Sequence, residues 1–401
     1  MGAFAFAAGQ PDQPVVLLFV CFVVAGAVRY GEIEMKMRML LCAFVTLVAG
    51  CGNHATMAPP PVNALAPNAL HSPWDMHPVT PREGDYNCGT ISPPAPNISI
   101  LDESYRSGDK SAASESVKNA AYAESSAAVE DYSALLSRAA DDYQNRGNLG
   151  AARCVAIALE AGATAHSMTG WMSSRSALYA QSRGLRGVST AYLKIRPSGV
   201  LTPQQSNVLL DWMQAIVGAQ RDYFDHAGCT KNRCDDHNHR ALNAAYAVMS
   251  VGVAANDRSD FNWGVHKYRL AVDDIDQGGM LHADLGSVLS MKFLLEATAS
   301  LVQMAEYAEL NGEPLYAYDG GRIHLLVHVV TRGLVDSTPV EIASGHRKQK
   351  LPNPMQGWEI GWAAIYVQRF PDGVISGLVQ QAGDSGKYVW GGAPFGLDNG
   401  E

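Results

Sequence analysis

Val117-Lys-Asn-Ala-Ala-Tyr-Ala-Glu-Ser-Ser-Ala-Ala-Val-Glu-Asp-Tyr-Ser-Ala-Leu-Leu-Ser-Arg-Ala139 is the stretch that decides the fold. Val117, Ala121 and Tyr122 recur at helical spacing, and Leu135, Leu136 and Ala139 continue the pattern. Ala-rich stretches of the same texture follow at about 151–168, 176–195, 203–224, 238–255, 260–275, 284–311 and 320–334. Turn signals separate them: Asn-Arg-Gly-Asn at 145–148, Pro-Ser-Gly at 197–199, Gln-Gly-Gly at 277–279 and Asn-Gly at 311–312. No strand pattern of useful length interrupts the series. The pattern predicts an all-α domain of antiparallel helix pairs with short connections. Such pairs close into a toroid or stack as a solenoid, and the lack of a repeat of fixed period counts against a simple solenoid. The part from about 340 to 401 is less helical and rich in Trp and Gly (Trp358, Trp362, Trp390, Gly391, Gly392). It is expected to pack as an irregular cap.

Upstream, the texture differs. Met-Lys-Met-Arg at 35–38 precedes an apolar run, 39–48, which ends in Leu-Val-Ala-Gly-Cys at 47–51. A basic start, an apolar stretch, small residues and a cysteine form the layout of a bacterial lipoprotein signal. Residues 35–50 are therefore expected to be removed and Cys51 to carry lipid. The alternative is a buried apolar strand that happens to end in Ala-Gly-Cys. A second apolar run, 14–28, is short of the roughly 20 residues that a transmembrane helix needs. Residues 1–34 read as a gene-start artefact, with translation beginning at Met35 or Met37, or as an extra apolar segment. Residues 51–98 carry Ala-Pro-Pro-Pro-Val at 58–62 and further prolines, and are expected to form an extended tether before a helical domain over 99–401.

The chain of 401 residues has a formal net charge of -9, which argues against nucleic acid as a partner. A polyanionic ligand would have to be met by a local basic cleft. Of seven cysteines, Cys21 and Cys42 precede the junction and Cys51 would be acylated. Four remain: Cys88, Cys154, Cys229 and Cys234. An even number in an oxidising compartment suggests two disulfides. Cys229 and Cys234 would clamp a small loop and Cys88 and Cys154 would tie the N-terminal arm to a helix, although four buried free thiols satisfy the same count.

The densest polar cluster is Asp235-Asp236-His237-Asn238-His239-Arg240, where the Cys229–Cys234 loop meets a helix. Asp235 or Asp236 would make a sound N-cap. His239, Asn243 and Tyr246 fall at i, i+4 and i+7 on one helical face. An amide and an imidazole beside an acidic sugar suit β-elimination. Asn238 would hydrogen-bond the C6 carboxylate and His239 would remove the C5 proton, or neutralise the carboxylate beside another base. The plainer alternative is a helix cap with two surface histidines. His226, Cys229, Cys234 and His237 also have zinc-finger-like order. Oxidation of exported thiols and the lack of an apolar finger core weigh against a metal. Two basic patches complete the inventory. Tyr105 and Lys110 lie in a Ser-Tyr-Arg-Ser-Gly-Asp-Lys-Ser loop at 104–111, suited to a lid or to an ordinary solvated turn. Arg183 and Arg186 form a pair within the helix that begins near Ser176.

Taken in order, these segments resemble the alginate lyase family, the (α/α)-toroid mannuronate lyases of the bacterial periplasm. Tyr-Arg-Ser-Gly-Asp-Lys-Ser at 105–111 is similar to that family's lid-side segment, and Ala-Tyr-Leu-Lys-Ile-Arg at 191–196 to one of its helix ends. His237-Asn238-His239, with Ala-Ala-Tyr-Ala-Val-Met at 244–249, resembles its Asn-Asn-His motif and the following helix. Phe261-Asn262-Trp263-Gly264-Val265 and Lys267-Tyr268 extend the similarity, which spans roughly residues 100–312. The resemblance implies an incomplete (α/α) toroid, with Asn238 and His239 as the catalytic Asn-His pair. It implies His237 where the family has its first Asn, and Phe293 near the place of its catalytic Tyr, with no Arg-rich run before it. Phe cannot protonate a leaving oxygen, so Tyr246, Tyr307 and Lys292 are candidate replacements.

The expected function is cleavage of a uronic-acid glycan by β-elimination, with Asn238 and His239 catalytic and Tyr105, Lys110, Arg183, His237, Arg240, Tyr246 and Lys292 binding substrate. A catalytically degenerate, exopolysaccharide-binding lipoprotein is the alternative. The expected partners are an acidic polysaccharide and, through the lipid, a membrane, with no nucleic acid, cofactor or metal. The protein is expected to be a monomer in the periplasm, held at the outer membrane because Gly52 after Cys51 is not the Asp that would retain it at the inner one.

Overall fold

A computed structural model of the protein describes residues 69–100, 112–230, 233–351 and 357–382, and two short strands, β1 (Phe22–Val24) and β2 (Met39–Leu41), which pair antiparallel. The chain divides into two compact units, Met1–Pro60 and Pro61–Glu401. Cys51, Tyr105 and Lys110 lie outside the described residues.

The second unit is helical. After a single turn, α1 (Pro73–Met76), come α2 (Ala112–Arg146), α3 (Leu149–Thr164), α4 (Arg175–Ile195), α5 (Pro203–His226), α6 (His239–Ala255), α7 (Arg258–Asp273) and α8 (Ser290–Leu310). A two-residue hairpin, β3 (Cys229–Thr230) and β4 (Arg233–Cys234), sits between α5 and α6. Helices α9 (Arg322–Gly333), α10 (Thr338–Ala343), α11 (Gly357–Arg369) and α12 (Gly373–Ala382) follow.

Packing runs in two rings. Helix α2 packs on α4, α4 on α6, α6 on α8 and α8 on α11, while α3, α5, α7, α9 and α12 pack outside these neighbours. This is an incomplete (α/α) toroid of antiparallel pairs. The inner helices α4, α6 and α8 are buried along almost their whole length, which is why they read as Ala-rich and not as simple amphipathic stripes. Small residues set the spacing. A Cβ on Gly252 of α6 would come 2.6 Å from the Phe261 nitrogen, so α7 can close against α6 only because that position is glycine.

Local chemistry places the helix ends. Thr202 and Gln205 form a capping box around Pro203 at the start of α5. Asn256 ends α6 in the left-handed conformation (φ 55°), and Asp257 accepts the Ser259 and Asp260 amides to begin α7. The stretch expected to be helical from residue 284 instead opens with a 3-10 turn, His282–Asp284, and α8 begins only at Ser290. The C-terminal cap is irregular from 344 to 351, yet it contains α11 and α12, whose Trp362 and Ile375 are fully buried. Residues 383–401, with Trp390, Gly391 and Gly392, lie outside the described residues.

The expected tether needs correction over 69–98. This arm is docked: Leu70, Trp74 and Ile98 are all at most 5% exposed. Leu70 N donates to Asn256 Oδ1 (2.9 Å) and His71 N to Asn311 Oδ1 (2.8 Å). Arg196 pairs with Asp75, and Cys88 is bonded to Cys154 of α3. An extended Pro-rich chain has no periodic face, but it can still bury isolated large side chains. The bridge closes 66 residues, worth of order 4 kcal/mol in lost unfolded-state freedom. The side chains of Cys229 and Cys234 lie outside the described residues, but their backbones are directly opposed across the hairpin.

Candidate active site

Three inner helices bring one polar stripe each to a common centre. Helix α4 contributes Tyr179, Arg183 and Arg186 at i, i+4 and i+7. Helix α6 contributes His239, Asn243 and Tyr246 at the same spacing, and α8 contributes Lys292, Phe293, Glu296 and Ser300. Below the centre, Arg186 donates to Asn243 Oδ1 (3.1 Å) and Ser300 Oγ (3.4 Å), and Asn243 Nδ2 donates to Ser182 Oγ (2.8 Å). This network locks the three helices in register.

His239 lies at the first position of α6 and is 5% exposed. Its Nδ1 is 2.5 Å from Asp284 Oδ1, and Asp284 also accepts the His239 backbone N–H at 3.0 Å. A carboxylate can only accept, so in the neutral imidazole Nδ1 carries the proton and Nε2 the lone pair. Phe293 stacks flat on the ring, centroids 4.2 Å apart and 4° between planes. Tyr179 meets it edge-on at 5.9 Å. Glu296 Oε2 lies 3.8 Å from Nε2 and accepts the Tyr179 hydroxyl at 2.8 Å. Burial, and then the Glu296 charge, push the Tyr179 hydroxyl well above its ordinary pKa, so it is a neutral phenol.

Asn238 corrects the expectation for the cap. It, and neither Asp235 nor Asp236, begins α6: its Oδ1 accepts the Arg240 and Ala241 amides, while Nδ2 donates to Asp235 Oδ1 at 3.1 Å. Asp235 is also paired with Arg175 at 3.1 Å. His237 is held away from His239, between Asp236 (2.5 Å) and Asp274 (3.4 Å). Burial opposes its charge, but the Asp274 hydrogen bond and the Asp236 charge prevail and raise its pKa.

The basic residues fall into two groups. The Arg240 guanidinium lies 5.8 Å from the Tyr179 ring centre, and Lys292 reaches to 3.9 Å from Glu296 at the exposed edge. Arg183 is tied to Glu130 at 2.5 Å and donates to the Tyr122 hydroxyl at 3.2 Å. Burial raises the Glu130 carboxyl, against the pull of Arg183. Tyr246 is not a substrate-facing residue. It is 1% exposed, under the Arg186 guanidinium (4.4 Å) and edge-on to Tyr307, and both tyrosines belong to the core. Asp284, Tyr179 and Glu296 escaped the sequence reading. The signal for two of them was present, as Tyr179 stands four residues before Arg183 and Glu296 three after Phe293.

The fold is thus a helical toroid with an Asp-supported histidine on its inner ring. The match of residues 116–340, more than half of the chain, to the alginate lyase family model shows that the chain belongs to that family. A polysaccharide lyase of Stenotrophomonas maltophilia is 28% identical over 63% of this chain and 73% of its own. An alginate lyase of Pseudomonas aeruginosa is 23% identical over 70% of this chain and 77% of its own. Among solved structures, a histidine-to-alanine variant of alginate lyase A1-III superposes with a TM-score of 0.61 at 18% identity, over 78% of this chain and 86% of that one. A tyrosine-to-phenylalanine variant of the same enzyme, complexed with a tetrasaccharide, gives 0.59 at 19% identity, over 76% and 84%.

Proposed function

We propose that this protein is a lyase that cleaves a uronic-acid polymer of the alginate type by β-elimination, in the periplasm and tethered through lipid on Cys51. The observation that carries the reading is His239, with Nδ1 fixed by Asp284 and Nε2 turned towards the centre shared by α4, α6 and α8. The C5 proton of a uronate is acidified by its carboxylate, and a neutral imidazole with a fixed tautomer is a base suited to removing it. Asn238 and Arg240 flank His239 and would meet the C6 carboxylate, stabilising the enolate-like charge. Arg183 and Lys292 add positive potential, which a chain of net charge -9 must concentrate locally to attract a polyanion. The relatives named alginate lyase, and the tetrasaccharide complex of alginate lyase A1-III, support this substrate class.

The test is incubation of the purified protein with alginate and with other uronic-acid polymers, following the absorbance of unsaturated product ends. Steady growth of that absorbance is expected with at least one polymer. Phe293 in place of a tyrosine favours a second reading, a degenerate toroid that binds exopolysaccharide. Wild-type protein that produces no unsaturated ends yet binds an acidic polysaccharide would establish it.

A further inference from the structure

β-Elimination also requires that the leaving glycosidic oxygen be protonated. Phe293 has no proton to give, and Tyr246 and Tyr307 are sealed in the core at 1% exposure. Around His239 the structure holds another hydroxyl. Tyr179 comes from α4, its ring edge-on to the imidazole, its hydroxyl donated to Glu296 at 2.8 Å. Glu296 in turn faces His239 Nε2 at 3.8 Å. Imidazole, carboxylate and phenol thus line up, across one gap of 3.8 Å, from the atom that would take the C5 proton to a group able to deliver one.

Resting on the lyase reading, we propose that Tyr179 is the proton donor to the leaving oxygen, and that Glu296 is the relay that returns to Tyr179 the proton collected by His239. The step balances without any added reagent. The C5–H bond breaks, its proton goes to His239 Nε2 and its electron pair becomes the C4–C5 double bond. The C4–O4 bond breaks and its pair leaves on O4. The oxygen takes the Tyr179 proton, Tyr179 takes one from Glu296, and Glu296 takes the one on Nε2. The Nε2–Oε2 gap must shorten by about 1 Å, or be bridged by one water, for the proton to pass. A phenol held neutral by burial beside a carboxylate is a donor of this kind. It gives its proton only as another arrives, because a lasting tyrosinate beside Glu296 is unfavourable.

The experiment compares two leaving groups. One substrate is the polymer, whose sugar oxygen needs a proton. The other is an oligouronide bearing fluoride at C4 of its non-reducing end, which departs without one. Tyr179→Phe and Glu296→Gln are expected to lower kcat on the polymer by about 10²-fold or more, with little change in KM and with fluoride release close to wild type. His239→Ala is expected to lose turnover on both substrates. Thermal denaturation checks that each variant is folded. If folded Tyr179→Phe retains wild-type turnover on the polymer, or loses polymer cleavage and fluoride release equally, the assignment of Tyr179 is overturned. Loss of polymer cleavage in Lys292→Ala, with fluoride release spared and Tyr179→Phe active, would give the role to Lys292. A wild type inert towards both substrates overturns the lyase reading itself, which is a different outcome.

Discussion

Helix α8 carries two buried glutamates, and each takes a hydrogen bond from a tyrosine near a histidine. Tyr179 donates to Glu296 at 2.8 Å beside His239, and Tyr316 donates to Glu306 at 2.9 Å beside His324. The residue types match, but their surroundings do not. Glu306 is gripped by the Arg369 fork, Nε at 3.1 Å and Nη2 at 2.8 Å, whereas Lys292 only approaches Glu296, at 3.9 Å. His239 Nδ1 meets a carboxylate, whereas His324 Nδ1 meets the Tyr366 hydroxyl at 2.6 Å. Burial, and then the neighbouring His328, lower the His324 pKa and keep it neutral. The guanidinium-clamped carboxylate works as a structural tie between α8 and α11. The carboxylate without that clamp faces a histidine whose Nδ1 is held by Asp284, the arrangement that the proposed relay requires. A Glu-Tyr-His grouping is therefore no site in itself, and the partners of its carboxylate decide what it does.

That contrast can be broken most sharply at the histidines. Asp284→Asn removes the acceptor that fixes the His239 tautomer and is expected to lower turnover by about 10²–10⁴-fold, while His324→Ala leaves turnover per folded molecule near wild type. Equal losses from both, measured as kcat on the polymer, would erase the distinction. The reverse experiment tests stability. Arg369→Met strands the buried Glu306 charge and is expected to cost about 2 kcal/mol in urea unfolding, with kcat unchanged. Full stability in that variant would show that the clamp is not a tie.

A smaller effect sharpens the boundary of the site. The raised pKa of His237 means that its protonated form, between Asp236 and Asp274, stabilises the fold. The contribution is fully present below the unfolded value near 6.5 and fades as pH rises through the higher folded value. His237→Gln is expected to remove a pH dependence of under about 1 kcal/mol between mildly acidic and mildly alkaline solution. Unfolding curves identical in shape across that range for both proteins would exclude it.

The helices were legible because their sequence period survives burial. Ala-rich runs bounded by Asn-Gly and Pro-Ser-Gly mark α2 to α9 to within a few residues, except at the start of α8, where Asp284 belongs to a separate turn. The docked arm was not legible, as Leu70, Trp74 and Ile98 are single anchors among prolines and form no repeat. At the site, the Asn238-His239 pair and the position of Phe293 could be read along the chain, and Phe293 does stack on His239. Asp284, Tyr179 and Glu296 could not be joined to them, since their relation exists only where three helices converge. Tyr246 misled for a physical reason. Helical spacing reports which face a residue lies on, but not how deep along the axis that face remains open.

The arm touches the helices at their far ends. Successive residues, Leu70 and His71, hold Asn256 and Asn311, the residues that terminate α6 and α8. His239 and Glu296 lie towards the opposite ends of the same two helices, so the arm sits where the pivot of a pair of callipers would be. Helix α6, with 17 residues, is a lever about 25 Å long. A splay of roughly 2–3° at the pivot moves the tips apart by about 1 Å, an error that can cost about 10²-fold in a reaction dependent on alignment. Two backbone amides in a Pro-rich segment thereby join the far ends of two helices whose near ends carry His239 and Glu296.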